Sequence, residues 1–486
     1  MKPISKFVCP LLMLSALASA QTQLDILRLV APRFLELSPD GSRLWFKLGN
    51  NWWEIATAPN AKPKHATHTA PQQEARNLAL ITQTHRSKNE TSPDGKRFAY
   101  LGGERPYAPT LVFVAETGSS IAARPISRMP ITSFHWSADS NSLWVTGSDG
   151  ADEPIGRLHL DGRFDVITHG PALRTLSPLL VEGDRVVWEQ SDEKHLGAIW
   201  MRDRSGEVRM LIDPNPQAAN LNPGIQEVIR WKNAHQEEIQ GILAKPAGSG
   251  PFPLVVDPYS AWRNRFLNAA SCGNYVFVEK GFAVFFPDHR ALQGFPANVF
   301  GESYVGAAKD RDPVDVLTDD VMTGVNDLIR RGIADPAHLY LYSSSTGASA
   351  IDQLLTVTTV FRAAVAHGGV ADWQGYYNVR HALGDETIPG FLGGRTPVDS
   401  PALYRSISAI NHVDRIKTPL MLVVGEQDQP RFDDTQHFYD ALIKAGSPAK
   451  LVVYKGEGHQ ITSVELGVKH IGQAIDFFRA APSLPK

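Results

Sequence analysis

Three observations predict a two-part protein, with an all-β first half and a mostly parallel α/β second half. Short alternating strands separated by turn signals fill the chain from Gln21 to about Asn233. Within that stretch one turn motif recurs at intervals of a few tens of residues. From about Leu254 onward, apolar strand runs alternate with amphipathic helical stretches, the pattern of a sheet with helices on both faces.

The recurring turn is Ser38-Pro-Asp-Gly41, repeated as Ser92-Pro-Asp-Gly95 and, degenerately, as Ser137-Ala-Asp-Ser140; a fainter copy runs from Ser177 through Gly183-Asp184 to Trp188. Each is followed by aromatic or branched residues suited to a strand. The serines are spaced by 54, 45 and 40 residues, close to the roughly 40–50 residues of a propeller blade, in which such a turn joins two strands. Residues 21–235 are therefore expected to form a propeller-like domain of four or five blades.

The character changes near Glu227–Leu243, where two alternating segments read as a hairpin entering a new domain, residues 236–486. Strands are predicted at Leu254–Val256, Ala283–Phe286, Leu339–Tyr342, Ala363–Ala366, Leu420–Val424 and Leu451–Tyr454. Apolar spacing predicts helices over Asp319–Arg331, Thr435–Ala445 and Ser463–Ala481.

With 486 residues, 43% hydrophobic and 20% charged, the chain has enough apolar content for two cores. Lys2 and Lys6 precede an apolar run from Phe7 to Ala18, and Ala18-Ser19-Ala20 offers the small residues of a cleavage site. Residues 1–20 are thus expected to be an export signal, making the protein periplasmic or secreted, with no integral membrane segment after cleavage. Its loss would take two positive charges from a formal balance already at −3, and no long basic run invites nucleic acid. Only Cys272 would remain in the mature chain, which excludes an intramolecular disulfide. The sixteen histidines show no metal-ligand spacing, so neither a metal nor an organic cofactor is implied.

The chemistry is concentrated at three strand ends. Leu339–Tyr342 runs into Ser343-Ser-Ser345-Thr-Gly347, close to the G-x-S-x-G turn that lifts a nucleophilic serine above a sheet edge, with Ser343 at the first glycine position. Leu420–Val424 leads to Gly425-Glu-Gln-Asp428, and Leu451–Tyr454 leads to Lys455-Gly-Glu-Gly-His459. Serine, acid and histidine in that order are the arrangement of an α/β hydrolase. An alcohol needs a base, and the base needs a carboxylate to fix its tautomer, so Ser345, His459 and Asp428 are the candidate triad. Glu426, Asp433 and Asp434 are alternative acids; Ser343 and Ser344 are alternative nucleophiles.

From Ile239 to His459 the sequence resembles the prolyl oligopeptidase family of serine peptidases, which join a propeller to an α/β hydrolase. The resemblance rests on Gly281-Phe-Ala-Val-Phe-Phe-Pro-Asp-His-Arg290, Asp335-Pro336, Lys417-Thr-Pro-Leu420, Gly425-x-x-Asp428 and Gly458-His459. It implies that Tyr259 donates its hydroxyl to the oxyanion beside the backbone N–H of Thr346, which every elbow offers. It also implies that Trp373 and Tyr376 wall a pocket for a small apolar or proline-like side chain. The chain departs from the family in Ser343, in Ala348 and in a propeller region of about half the usual size. It also shows no paired glutamates in a family-like helical context to hold a free peptide amino terminus.

The expected function is hydrolysis of peptide or amide bonds in short or exported peptides, including isopeptide bonds, through an acyl-enzyme. A peptide or small acyl substrate is the expected partner. An esterase using the same triad is the alternative, and an inactive propeller-hydrolase binding protein is a third reading resting only on the altered elbow.

Overall fold

In a computed structural model of the chain, residues 33–482 are described except for 49–50, 67–88, 103–110, 119–123, 148–151, 175–178, 218–223, 260–272, 290–310 and scattered single or paired positions. The expected signal, the segment containing Ser177, and Cys272 lie outside the described residues.

The first half contains, among the described residues, four antiparallel sheets of four strands each, spanning 33–65, 89–125, 131–168 and 180–212. The repeated turn has a common cause in each of the first three. Ser38, Ser92 and Ser137 donate their hydroxyls to Asp40, Asp94 and Asp139 at 2.6, 2.6 and 2.5 Å. Ser38 and Ser92 also accept the backbone N–H of Arg43 and Arg97. The fourth residue of the motif takes a left-handed conformation, φ 67° at Gly41 and 73° at Gly95, and Ser140 adopts it at 60° in the degenerate copy. Glycine does this without strain, which is why the motif carries it.

Apolar faces join three pairs of these sheets. The second packs on the third through Ala99, Val112, Phe134 and Leu143, and the third on the fourth through Trp144, Ile155 and Trp188. The fourth also meets the first, through Val187, Ile199 and Met201 against Leu44, Phe46 and Ile55. Four-stranded antiparallel sheets packed face to face on one another are the arrangement of propeller blades.

Among the described residues, the second half contains one eight-stranded sheet. Its strands are β1 (Ile225–Lys232), β2 (Glu238–Lys245), β3 (Phe252–Val256), β4 (Ala283–Pro287), β5 (Ala334–Ser344), β6 (Ala363–His367), β7 (Leu420–Gly425) and β8 (Ala449–Tyr454). Their order is β1-β2-β4-β3-β5-β6-β7-β8, antiparallel through β2 and parallel beyond. Both strands of the hairpin at the change of character belong to this sheet, which therefore begins at Ile225.

Helices α1 (Gly273–Glu279), α2 (Pro313–Arg330), α3 (Thr346–Leu354), α4 (Trp373–Ala382), α5 (Pro401–Ile407), α6 (Arg431–Lys444) and α7 (Val464–Ala480) cover the two faces. Residues of α1 and α7 share one core with Val255, Val284, Tyr340 and Val365. Those of α2 to α6 share the other with Leu254, Val256, Leu339 and Leu341. The alternation along each strand is what sends neighbours to opposite cores. Helix α2 begins six residues before the segment predicted from apolar spacing. The Asp312 side chain accepts from Val314 N and Pro313 occupies the first turn, where its missing N–H costs nothing.

Candidate active site

The elbow forms where β5 ends and α3 begins. Ser345 sits at φ 55°, ψ −127°, a conformation that L-residues avoid at a cost of about 1–3 kcal/mol and that clusters at functional sites. Its N–H donates to the carbonyl of His367 at 2.7 Å, anchoring the turn to the end of the adjacent β6. Buried Gly347, Ala348 and Ser349 follow Thr346 in the first turn of the helix and let the next loop approach. A Cβ at Gly369 in that loop would lie 3.0 Å from Ser349 N.

The acid and histidine loops follow β7 and β8. A Cβ at Gly425 would lie 2.2 Å from the carbonyl oxygen of Gly458, so only glycine permits the two loops to meet. Gln427 N donates to Glu457 O at 2.8 Å and joins them. Beyond the histidine, the Glu457 carboxylate accepts from Thr462 N, Thr462 Oγ1 and Ser463 N, which fixes the exit of this loop into α7.

These loops bring three of the sequence-predicted residues into one hydrogen-bonded chain. His459 Nε2 lies 3.0 Å from Ser345 Oγ, and His459 Nδ1 lies 2.7 Å from Asp428 Oδ2. Asp428 is 6% exposed and the His459 side chain 37%, so the carboxylate is held in a dry setting while the imidazole faces the cleft. Such a chain can move a proton from the hydroxyl to Nε2 and hold the resulting imidazolium. The alternative acids are engaged elsewhere. Glu426 accepts from Gly456 N, Asp433 from Gln429 Nε2, and Asp434 from the backbone N–H groups of Ala371 and Asp372. Of the alternative serines, Ser344 is exposed and Ser343 donates to Asp257.

Thr346 is the first residue of α3, so its N–H has no acceptor within the helix. Tyr259 lies against the elbow, with its Cβ 2.8 Å from where a Gly347 Cβ would stand. Trp373 and Tyr376 occupy the first turn of α4, both largely buried in the core that also holds Val370, Ile388 and Tyr404. Burial raises the Tyr376 hydroxyl above its ordinary range, and the nearby Arg431 and Arg380 oppose that shift. Among the described residues no cluster of three or more histidine, cysteine or acidic side chains is placed to hold a metal.

Three neighbours of the site were not singled out in the sequence. Arg431 places its guanidinium 5.1 Å from the Tyr376 ring centre; its position three residues past the acid was the available signal. Buried Asp257, two residues before Tyr259, had only its place after a strand to mark it. His367, whose carbonyl anchors Ser345, has its side chain buried beside His459, and burial lowers its pKa to about 4.

Residues 269–482 match the prolyl oligopeptidase family. Among curated proteins, the chain is 22% identical over 346 residues to an uncharacterised peptidase of Bacillus subtilis, YuxL, covering 67% of this chain and 50% of that protein. It is 25% identical over 256 residues to the human acylamino-acid-releasing enzyme, covering 50% of this chain and 33% of that one. The chain thus spans half or less of the length of these relatives. Among solved structures, Pyrococcus horikoshii acylaminoacyl peptidase aligns with a TM-score of 0.65 at 16% identity, over 93% of this chain and 71% of that one. At that identity the likeness is one of fold.

Proposed function

We propose that the protein, whose residues 269–482 match the prolyl oligopeptidase family, is a serine hydrolase that cleaves peptide or amide bonds through an acyl-enzyme formed on Ser345. The observation that carries this reading is the Ser345–His459–Asp428 chain at 3.0 and 2.7 Å, beginning at a strained serine.

In this mechanism His459 Nε2 takes the Ser345 proton as Oγ attacks the scissile carbonyl. Asp428 holds Nδ1–H and balances the imidazolium charge. The Thr346 N–H and the Tyr259 hydroxyl receive the oxyanion, each donor contributing a few kcal/mol of barrier lowering. His459 then gives its proton to the leaving amine. Water, activated by the same imidazole, releases the acid and restores Ser345. Trp373 and Tyr376 would face the side chain before the scissile bond. The short propeller region favours a cleft open to more than the smallest peptides, and an export signal at residues 1–20 would put the protein among exported peptides as substrates.

Labelling by a fluorophosphonate probe tests the nucleophile. Wild type is expected to label, and Ser345→Ala to lose both labelling and turnover, by about 10⁴-fold or more in kcat. Unchanged labelling in Ser345→Ala would remove the proposal. Turnover of proline or alanine anilides against p-nitrophenyl esters then separates peptidase from esterase, since hydrolysis of esters alone would exclude amide cleavage.

A further inference from the structure

The serine at the first glycine position of the elbow has its own partner. Ser343 Oγ donates to Asp257 Oδ1 at 2.6 Å, and both side chains are buried. The same carboxylate oxygen accepts the backbone N–H of Tyr259 at 3.0 Å. Asp257 follows directly on β3, and Ser343 is the penultimate residue of β5, its parallel neighbour, with Val256 opposite Leu341. The two side chains therefore meet at the carboxyl edge of the sheet, beside the elbow. Gly347 completes the group, since a Cβ there would fall 2.0 Å from Ser343 Oγ and 2.8 Å from Tyr259 Cβ. The Ser343 side chain thus fits because position 347 has none.

A carboxyl group buried this deeply is costly, and its two hydrogen bonds come from neutral donors. Burial raises its pKa to about 6 against the opposing pull of those two donors. What the pair does is local: it ties the turn that carries Tyr259 to the strand that carries the elbow. Oxyanion donors act only when held within a few tenths of an ångström of the developing charge. We infer that Asp257 and Ser343 are positioning residues that clamp the Tyr259 turn against the nucleophile elbow, setting the donor geometry through Tyr259 without touching substrate. This rests on the function proposed above for Ser345.

The test is a double-mutant cycle on a chromogenic peptide anilide, with fluorophosphonate labelling and thermal melts of every variant. Ser343→Ala is expected to lower kcat about tenfold with KM changed less than twofold, and Ser343→Gly to do the same with the residue that the G-x-S-x-G elbow carries at this position. Tyr259→Phe should cost less rate in the Ser343→Ala background than in wild type, because a misplaced hydroxyl has less to lose. Asp257→Asn, which keeps an acceptor for both donors, should retain more kcat than Asp257→Ala. Wild-type kcat in both Ser343 variants, or rate losses that simply multiply in the double variant, would overturn the clamp while leaving the nucleophile reading intact. A wild type that neither labels nor cleaves the anilide would overturn that reading and the clamp together.

Discussion

At the scale of single residues, the site depends on positions where a side chain has no room. Gly368 follows β6 at φ 61°, and a Cβ there would lie 3.1 Å from Asp428 Oδ2 and 3.4 Å from His459 Nδ1. Gly368→Ala would add left-handed strain to a contact pressed against the acid–histidine hydrogen bond. Displacing the imidazole by even a fraction of an ångström lengthens its bond to Ser345. The substitution is expected to lower kcat by roughly 10–100-fold while the protein still melts cooperatively. Steady-state kinetics beside a melting curve check this, and wild-type kcat would show that the loop yields without moving His459. Ser345, Asp428 and His459 are legible in the sequence because each follows an apolar strand, and strand ends on one edge of a parallel sheet converge. The Asp257–Ser343 bond is not, since its partners stand 86 residues apart and the elbow spacing that marks Ser343 says nothing of a carboxylate beside it.

At the scale of elements, helix α7 and strand β6 meet through a pair of buried histidines. The His367 and His470 rings lie 5.4 Å apart, with Tyr342 and Tyr454 also against His470. Burial first, then the proximity of His459 to His367 and of His367 to His470, lowers them to about 4 and about 3. Above pH 6.5 both are neutral folded or unfolded and contribute nothing to pH dependence. As the pH falls from 6.5 toward 4, the unfolded chain binds protons that the folded chain refuses, so stability is lost. Asp257 and Asp434, both raised by burial to about 6, act oppositely by taking protons in the folded state between pH 6 and 3.8. A comparison of wild type with His470→Gln cancels the acids. The variant is expected to lose about 2 kcal/mol less between pH 7 and 5, from a 1.5-unit interval at about 1.4 kcal/mol per unit. Urea titrations at the two pH values measure it, and parallel losses would refute the assignment. Periodicity located α7 nearly to the residue, yet it could not say that His470 faces inward onto a second histidine, which depends on the packing of two distant elements.

At the scale of the whole molecule, the two halves are joined by a small apolar contact as well as by the chain. Leu196, from the fourth small sheet's region, is 2% exposed and belongs to the core cluster of α1, α7 and the outer sheet face, including Tyr454 and Ile471. Its carbonyl accepts from Asn215 Nδ2 at 2.6 Å, fixing the chain just before it crosses into β1. The core shared by the first and fourth sheets has no residue in common with the cores of the eight-stranded sheet. Each half therefore has its own apolar support, and Leu196 docks one on the other. Leu196→Ser would remove about 2–3 kcal/mol of apolar burial and place a hydroxyl in an apolar cluster. The expected result is faster limited proteolysis in 213–224, the segment between the last small-sheet strand and β1, while Ser345 keeps its reactivity toward a fluorophosphonate. Unchanged cleavage there would mean that the halves are held by contacts other than Leu196. Loss of Ser345 labelling together with faster cleavage would mean that the docking also supports the catalytic edge of the sheet.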